Sequence, residues 1–95
     1  MLRPATCAFE AIAHPVRRDL LDALRETGPV SITDLAARCE VSRSTASRHL
    51  EILRGAGLVV ARTSTPALHH ELDRRAFDAI DDWLWPFVDA QGASA

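Results

Sequence analysis

Apolar residues recur along this chain with a helical period, switch once to alternation, and then return to the helical period. Val16, Leu20, Ala23 and Leu24 form the buried stripe of a helix expected from Pro15 to about Glu26. Proline costs nothing in a first helical turn, and Gly28-Pro29 ends the segment. Ahead of it a short helix is expected over Cys7 to Ile12, with Thr6 as its N-cap. Ser31 reads as the next N-cap, with Asp34 three residues on, near the positive end of the helix dipole. Ile32, Leu35, Ala36 and Cys39 form the inward side of that helix. Only Glu40-Val41 separates it from Ser42, the N-cap of a fourth helix closed by Gly55 and Gly57. The period then changes. Leu58 to Thr63 and Leu68 to Leu72 read as paired strands around a turn, Ser64 to Ala67, that contains Pro66. A last helix is expected from about Arg74 to Ala90, with Phe77, Ile80, Leu84 and Val88 along one stripe, Trp83 and Phe87 beside it, and Pro86 bending it.

The fourth helix is the unusual one. Its start, "VSRSTASRHLEIL", puts four hydroxyls (Ser42, Ser44, Thr45, Ser47) and two arginines (Arg43, Arg48) where strong helix formers would ordinarily stand. Ala46, Leu50 and Leu53 fall at i, i+4 and i+7 and must face the core, which turns Arg43, Ser44, Ser47, Arg48 and Glu51 outward. Two helices joined by a short turn, the second polar and sterically small at its N-terminal end, form a helix-turn-helix. Short hydroxyls let the backbone approach base edges, and arginine offers a planar pair of donors that matches guanine or a phosphate. With the hairpin, the expected architecture is mainly α: a winged helix-turn-helix of about five helices and a two-stranded wing.

Ninety-five residues suffice for one core and one compact domain, residues 1–95. The start of the chain lacks a sustained apolar run, and nowhere does an apolar stretch approach the roughly 18 residues that span a bilayer. Two cysteines, far apart and outside any CxxC pair, suit a reducing compartment, so a soluble cytoplasmic protein is expected. The net charge of −2 argues against nucleic acid as a partner, but distribution outweighs the total. From Arg38 to Arg62, five arginines stand against Glu40 and Glu51; from Asp73 to Asp89, five aspartates stand against Arg74 and Arg75.

The stretches "AIAHPVRRDLLDAL", "SITDLAARCEVSRSTASRHLEILRGAGLV" and "LDRRAFDAIDDWLWPF" resemble the ArsR/SmtB family of bacterial winged-helix repressors, over nearly the whole chain from about Phe9 to Phe87. The resemblance implies a homodimer, paired through its first and last helices, that binds a palindromic operator in double-stranded DNA and blocks transcription. It points to Ser42, Arg43, Ser44, Ser47, Arg48 and His49 as operator-facing positions and to Arg62 and its hairpin as the wing. With the neighbouring Thr45, Arg54 and Thr63, these make up the expected DNA-contacting set. Arg54, nearly two turns beyond Arg48, is expected to reach only the backbone. The expected dimer surface is Phe9, Ile12, Phe77, Ile80, Trp83, Leu84, Phe87 and Val88, with Trp85 adding apolar area.

Two departures from the family pattern stand out. The segment "ARTSTPALHH" offers the wing one arginine and a proline, where several basic residues and a glycine turn are usual, and Glu40 occupies a turn position where glycine is common. Many members of the family sense metals through cysteines at the start of the third helix or through histidines on the last. Here the cysteine positions are Ser31 and Thr33, and the last helix contains no histidine, so no metal site, cofactor or small-molecule ligand is expected. His69 and His70 are adjacent on a strand and point to opposite faces; His70 reads as a packed, hydrogen-bonded core residue, His14 as a helix-entry residue and Cys39 as core. Cys7 stays open, since exposure near a dimer seam would leave it oxidisable. No phosphate loop, HExxH or GxSxG motif is present, and the cluster Asp78, Asp81, Asp82 reads as a solvated helix face, so no enzyme is expected. Two alternatives remain. A winged-helix module used only for protein pairing would suit the negative net charge and the weak wing, but it would not need the Ser/Arg face. A metal- or thiol-responsive sensor repressor is the other.

Overall fold

The computed structural model describes residues 4–64 and 67–94, with side chains described over 8–63 and 68–90. Its elements run α1 (Pro4–Ile12), α2 (Pro15–Thr27), α3 (Ile32–Arg38), α4 (Arg43–Gly55), β1 (Val59–Ser64), β2 (Ala67–Leu72) and α5 (Arg74–Ser94). This is the winged helix-turn-helix architecture expected of the sequence. The expected turn at Thr65 and Pro66 and the side chain of Cys7 lie outside the described residues. One boundary differs in kind. Helix α1 opens at Pro4, so Thr6 lies inside it and is not its N-cap; proline at the first helical position, lacking an N–H that would be unpaired there anyway, starts the helix instead.

The other caps follow the sequence. The Ser31 side chain accepts from the Asp34 amide and that of Ser42 from the Thr45 amide, each satisfying a donor that a helix start leaves without an internal partner. His14 caps α2, its Nδ1 accepting the Val16 amide at 3.2 Å. Helix α5 continues through Pro86.

Helices α3 and α4 end in the same hydrogen-bonding motif. At the end of α3, Val41 N–H donates to the Ala36 carbonyl and Glu40 N–H to that of Ala37. At the end of α4, Leu58 N–H donates to the Leu53 carbonyl and Gly57 N–H to that of Arg54. This six-to-one closure requires one residue in the left-handed region. Gly57 meets the demand at φ 80°, whereas Glu40 meets it at φ 56° with a side chain attached.

The core gathers one stripe from each element. Leu20, Leu21, Ala23 and Leu24 of α2 meet Leu35 and Ala36 of α3, Ala46, Leu50 and Leu53 of α4, Ala8 and Ala11 of α1, and Leu58 and Val59 at the start of the hairpin. Cys39, Phe77 and Ile80 are partly buried at its edge. Strands β1 and β2 are antiparallel, with Val59 opposite Leu72 and Arg62 opposite His69. Val30, between α2 and α3, adds a one-residue bridge to the outer side of β2 by exchanging both backbone hydrogen bonds with His70, at 3.1 and 2.8 Å. The bridge was not anticipated, because a single residue carries no alternation.

The two closures should respond oppositely to substitution. Glu40→Gly relieves the left-handed strain and is expected to stabilise the fold by up to about 1 kcal/mol. A Cβ at Gly57 would come no nearer than 4.0 Å to the Ala76 Cβ, so Gly57→Ala should cost only the backbone penalty, about 1 kcal/mol. Denaturant midpoints at unchanged slope measure both.

Candidate nucleic-acid interface

Helix α4 is placed by its buried side: Ala46, Leu50 and Leu53 have no exposed surface. Their burial turns Arg43, Ser44, Ser47 and Arg48 outward, all four exposed, on the first two turns. Arg43 and Arg48 make no hydrogen bond or ion pair within the chain among the described residues. Most other described arginines are committed, Arg74 excepted: Arg38 lies 3.5 Å from Glu26, Arg25 lies 3.6 Å from Asp22, and Arg17 and Arg18 donate to main-chain carbonyls.

Not every hydroxyl of this stretch faces outward freely. Ser42 Oγ accepts the Thr45 amide at 3.1 Å, donates to Thr45 Oγ1 at 2.9 Å and lies 3.2 Å from Ser44 Oγ. Ser42 and Thr45 thus start the helix, and Thr45 is half-buried. Part of the unusual composition at this point is a capping requirement.

His49 does not belong with the outward positions. It is only 8% exposed, its ring lies 4.8 Å from that of His14, and its Nδ1 is 3.5 Å from an Arg17 guanidinium nitrogen. The cause is visible on the helical wheel. With Ala46, Leu50 and Leu53 buried, position 49 is the i+3 member of the same stripe and must turn inward with them. Burial pushes the His49 pKa below the ordinary histidine range, and His14, Arg17 and Arg48 push it the same way.

Arg54 lies at the far end of α4, where one guanidinium nitrogen is 3.3 Å from His70 Nε2. His70 is buried, as its alternation with Leu68 and Leu72 implies, and burial followed by the Arg54 charge lowers its pKa. Only half of its expected hydrogen bonding is met: Nδ1 has no partner among the described residues. On the wing, Arg62 and Thr63 are exposed, and the Arg62 guanidinium pairs with the Glu71 carboxylate on the neighbouring strand. Glu71 was not singled out from sequence; its signal is the cross-strand register, which sets it diagonal to Arg62. The hairpin's arginine therefore has a carboxylate partner on its own sheet.

Helix α5 carries a second exposed surface, and this one is rich in large apolar side chains. Trp83, Leu84, Trp85, Phe87 and Val88 of α5 are all exposed, from 45% for Leu84 to 62% for Val88. Phe9 meets Trp83 edge-on at 5.1 Å, and Trp83 lies 4.9 Å from Phe87. Ile12, Phe77 and Ile80, expected from sequence as dimer surface, are partly buried against the chain's own core. Among the described residues no group of three His, Cys, Asp or Glu side chains could hold a metal ion, and no helix is long and apolar enough to cross a membrane. The Cys39 thiol, half-buried, donates to the Asp19 carbonyl at 3.6 Å, and burial followed by Asp19 raises its pKa, which disfavours the reactive thiolate.

A family model described as a helix-turn-helix domain matches residues 12–62. The chain is 28% identical over 80 residues to the transcriptional repressor SdpR of Bacillus subtilis (strain 168), covering 84% of this chain and 88% of that protein. It is 34% identical to the cadmium metal-sensor CMTR of Mycobacterium tuberculosis, with a TM-score of 0.66 over 82% of this chain and 81% of that one. A TM-score of 0.74 relates its fold to the homodimeric winged helix-turn-helix DNA-binding domain of Mb0332 from Mycobacterium bovis, a possible ArsR-family regulator, at 21% identity over 97% of this chain and 84% of that one. The chain belongs to the ArsR/SmtB family. This ArsR-family protein is a transcriptional regulator with a helix-turn-helix fold, and its relatives form a non-enzymatic family.

Protonation should matter to the regulator's stability. His49 and His70 both bind protons less readily when folded, so below about pH 6.5 the unfolded chain takes up protons first and the fold loses stability as pH falls. The Asp73 carboxyl, held below its ordinary range by hydrogen bonds from Arg75, loses its contribution only at still lower pH. The thermal midpoint is expected to fall between about pH 7.5 and pH 5.5, and to fall less in a His49→Gln/His70→Gln variant.

Proposed function

We propose that this ArsR-family regulator is a homodimeric, sequence-specific repressor that binds a palindromic operator through the outward face of α4, with residues 1–95 acting as one cytoplasmic DNA-binding and dimerisation domain. The observation that carries the reading is the pair of guanidinium groups, Arg43 and Arg48, without a partner among the described residues, on the first two turns of a helix whose outward side there is otherwise small and hydroxylated. Ser44 and Ser47 permit close approach of the backbone, and the arginines supply base-edge or phosphate donors. Arg62 and Thr63 of the wing contribute little while Glu71 holds Arg62. Arg54 is a backbone contact at most. A protein-pairing module has no use for an exposed Ser/Arg face, and this disfavours that alternative.

Dimerisation rests on α5. Burying a large apolar side chain completely gains about 1.5–3 kcal/mol, so Trp83, Leu84, Trp85, Phe87 and Val88, each about half exposed, hold roughly 1 kcal/mol apiece in reserve for a partner. The homodimeric state of the Mb0332 domain supports the same arrangement here. Sedimentation at micromolar concentration is expected to show a dimer, and a monomer would contradict this.

Metal-independent regulation is the third part of the reading. Ser31 already uses its hydroxyl as a helix cap, Thr33 is a poor ligand for soft ions, and Cys39 is held as a thiol. The likeness to a cadmium sensor makes the test a sharp one. Titration calorimetry with cadmium is expected to find no submicromolar site.

The DNA reading is tested by contrast. Operators selected from a random pool should bind Arg48→Ala more weakly by about 1–3 kcal/mol, with relaxed preference at one base position. Arg54→Ala should weaken all sequences alike and make the salt dependence about one unit shallower if it touches a phosphate. Wild-type operator binding by Arg48→Ala would exclude groove reading by α4.

A further inference from the structure

Arg17 stands where three helices meet, and each nitrogen of its guanidinium is engaged. Nε–H donates to the Ala11 carbonyl at 2.7 Å and one terminal nitrogen to the Glu10 carbonyl at 3.4 Å, both at the C-terminal end of α1. The other terminal nitrogen lies 3.5 Å from His49 Nδ1 on α4. An arginine only donates, so this contact requires Nδ1 of His49 as acceptor and the ring proton on Nε2. The cation also complements the negative end of the α1 dipole. Helix α1 borders the apolar face assigned to dimerisation, since Phe9 packs on Trp83. His49 follows Arg48 directly in the helix assigned to DNA. A single side chain therefore ties the end of α1, which borders the apolar face, to the inward side of α4.

We propose that Arg17 and His49 are positioning residues that lock the orientation of α4 to α1, and that a proton on His49 opens the lock and lowers operator affinity. The inference rests on the DNA-reading function proposed for α4. Protonation removes the lone pair that accepts from Arg17 and sets a second cation beside the guanidinium. Among the described residues, the titratable or charged groups acting on the His49 ring are His14 and Arg17, from the start of α2, and Arg48 on its own helix; none is a carboxylate that would compensate. His14 adds to the coupling, because its Nδ1 caps α2 next to Arg17 and its ring packs on His49. Burial and these neighbours disfavour the protonated ring, so the lock is closed at neutral pH and opens as the pH falls.

The test uses the full-length dimer and compares operator affinity at about pH 7.5 and pH 5.5 at fixed ionic strength, with dimer dissociation measured in the same buffers. Wild-type affinity for the selected operator is expected to fall by about three- to tenfold in acid while the dimer persists, the range of one ordinary intramolecular hydrogen bond. His49→Gln keeps an acceptor and cannot be protonated, so its ratio of affinities at the two pH values should stay near one. Arg17→Lys keeps the charge but cannot fork to three acceptors, and it should weaken the operator complex at neutral pH without dissociating the dimer. Equal pH profiles for wild type and His49→Gln, or a slope abolished by His70→Gln instead, would overturn the proposal. A second readout needs no DNA. In NMR titrations, wild-type amide shifts at the end of α1 and the start of α4 should follow the His49 titration together, and this joint movement should vanish in Arg17→Lys. If no DNA binds at neutral pH, the reading function fails; if the amides of α1 and α4 titrate independently, the lock fails whatever the DNA result.

Discussion

Ala46, Leu50 and Leu53 present no surface to solvent, and between them they set the rotation of α4 about its own axis. A helix advances about 100° per residue, so every other side chain of α4 takes its direction from that stripe. Arg43, Ser44, Ser47 and Arg48 point outward because their neighbours cannot. The same rotation carries His49 inward, where it meets His14 and Arg17. Polar identity had no say in the matter. Once three apolar contacts are made, a histidine at the next position of the stripe is buried and needs a partner, and the partner it finds comes from α2.

Charge in this molecule is arranged by subtraction as much as by addition. The balance of −2 conceals arginines that serve internal ends: Arg17 and Arg18 satisfy the carbonyls at the end of α1, Arg38 pairs with Glu26, and Arg62 is held by Glu71 across the hairpin. What remains without an internal partner on α4 is Arg43 and Arg48. A small area of uncommitted positive charge, surrounded by compensated charge, localises an anionic partner better than a uniformly basic surface, whose attraction has no preferred register.

Most of the fold was legible because each element announces itself locally: the Ser31 and Ser42 caps, the stripes of α2 and α4, and the alternation of the hairpin all stand as the periodicity demands. The unusual turn residue was legible too, since Glu40 stands at the one position between α3 and α4 that needs a positive φ. What escaped was non-local or carried by too few residues. The Val30–His70 bridge is a single residue long, Glu71 acquires its meaning only from the strand register, and Arg17 gains its three acceptors only when α1, α2 and α4 meet. His49 is a different case. Its place on the buried stripe follows from the i+3 spacing to Ala46, and only the family resemblance sets it among the operator-facing positions.

The bridge at Val30 has a mechanical meaning. It pins β2 at His70, so the hairpin divides into a root, Val59 to Ala61 against His70 to Leu72, and a distal arm beyond Arg62 and His69. The root is hydrogen-bonded on both sides at the pin. The wing is therefore a lever with its fulcrum at residue 70. A load applied to the arm is carried through the Val30 main chain into the link between α2 and α3, and through the His70 ring to Arg54 at the end of α4.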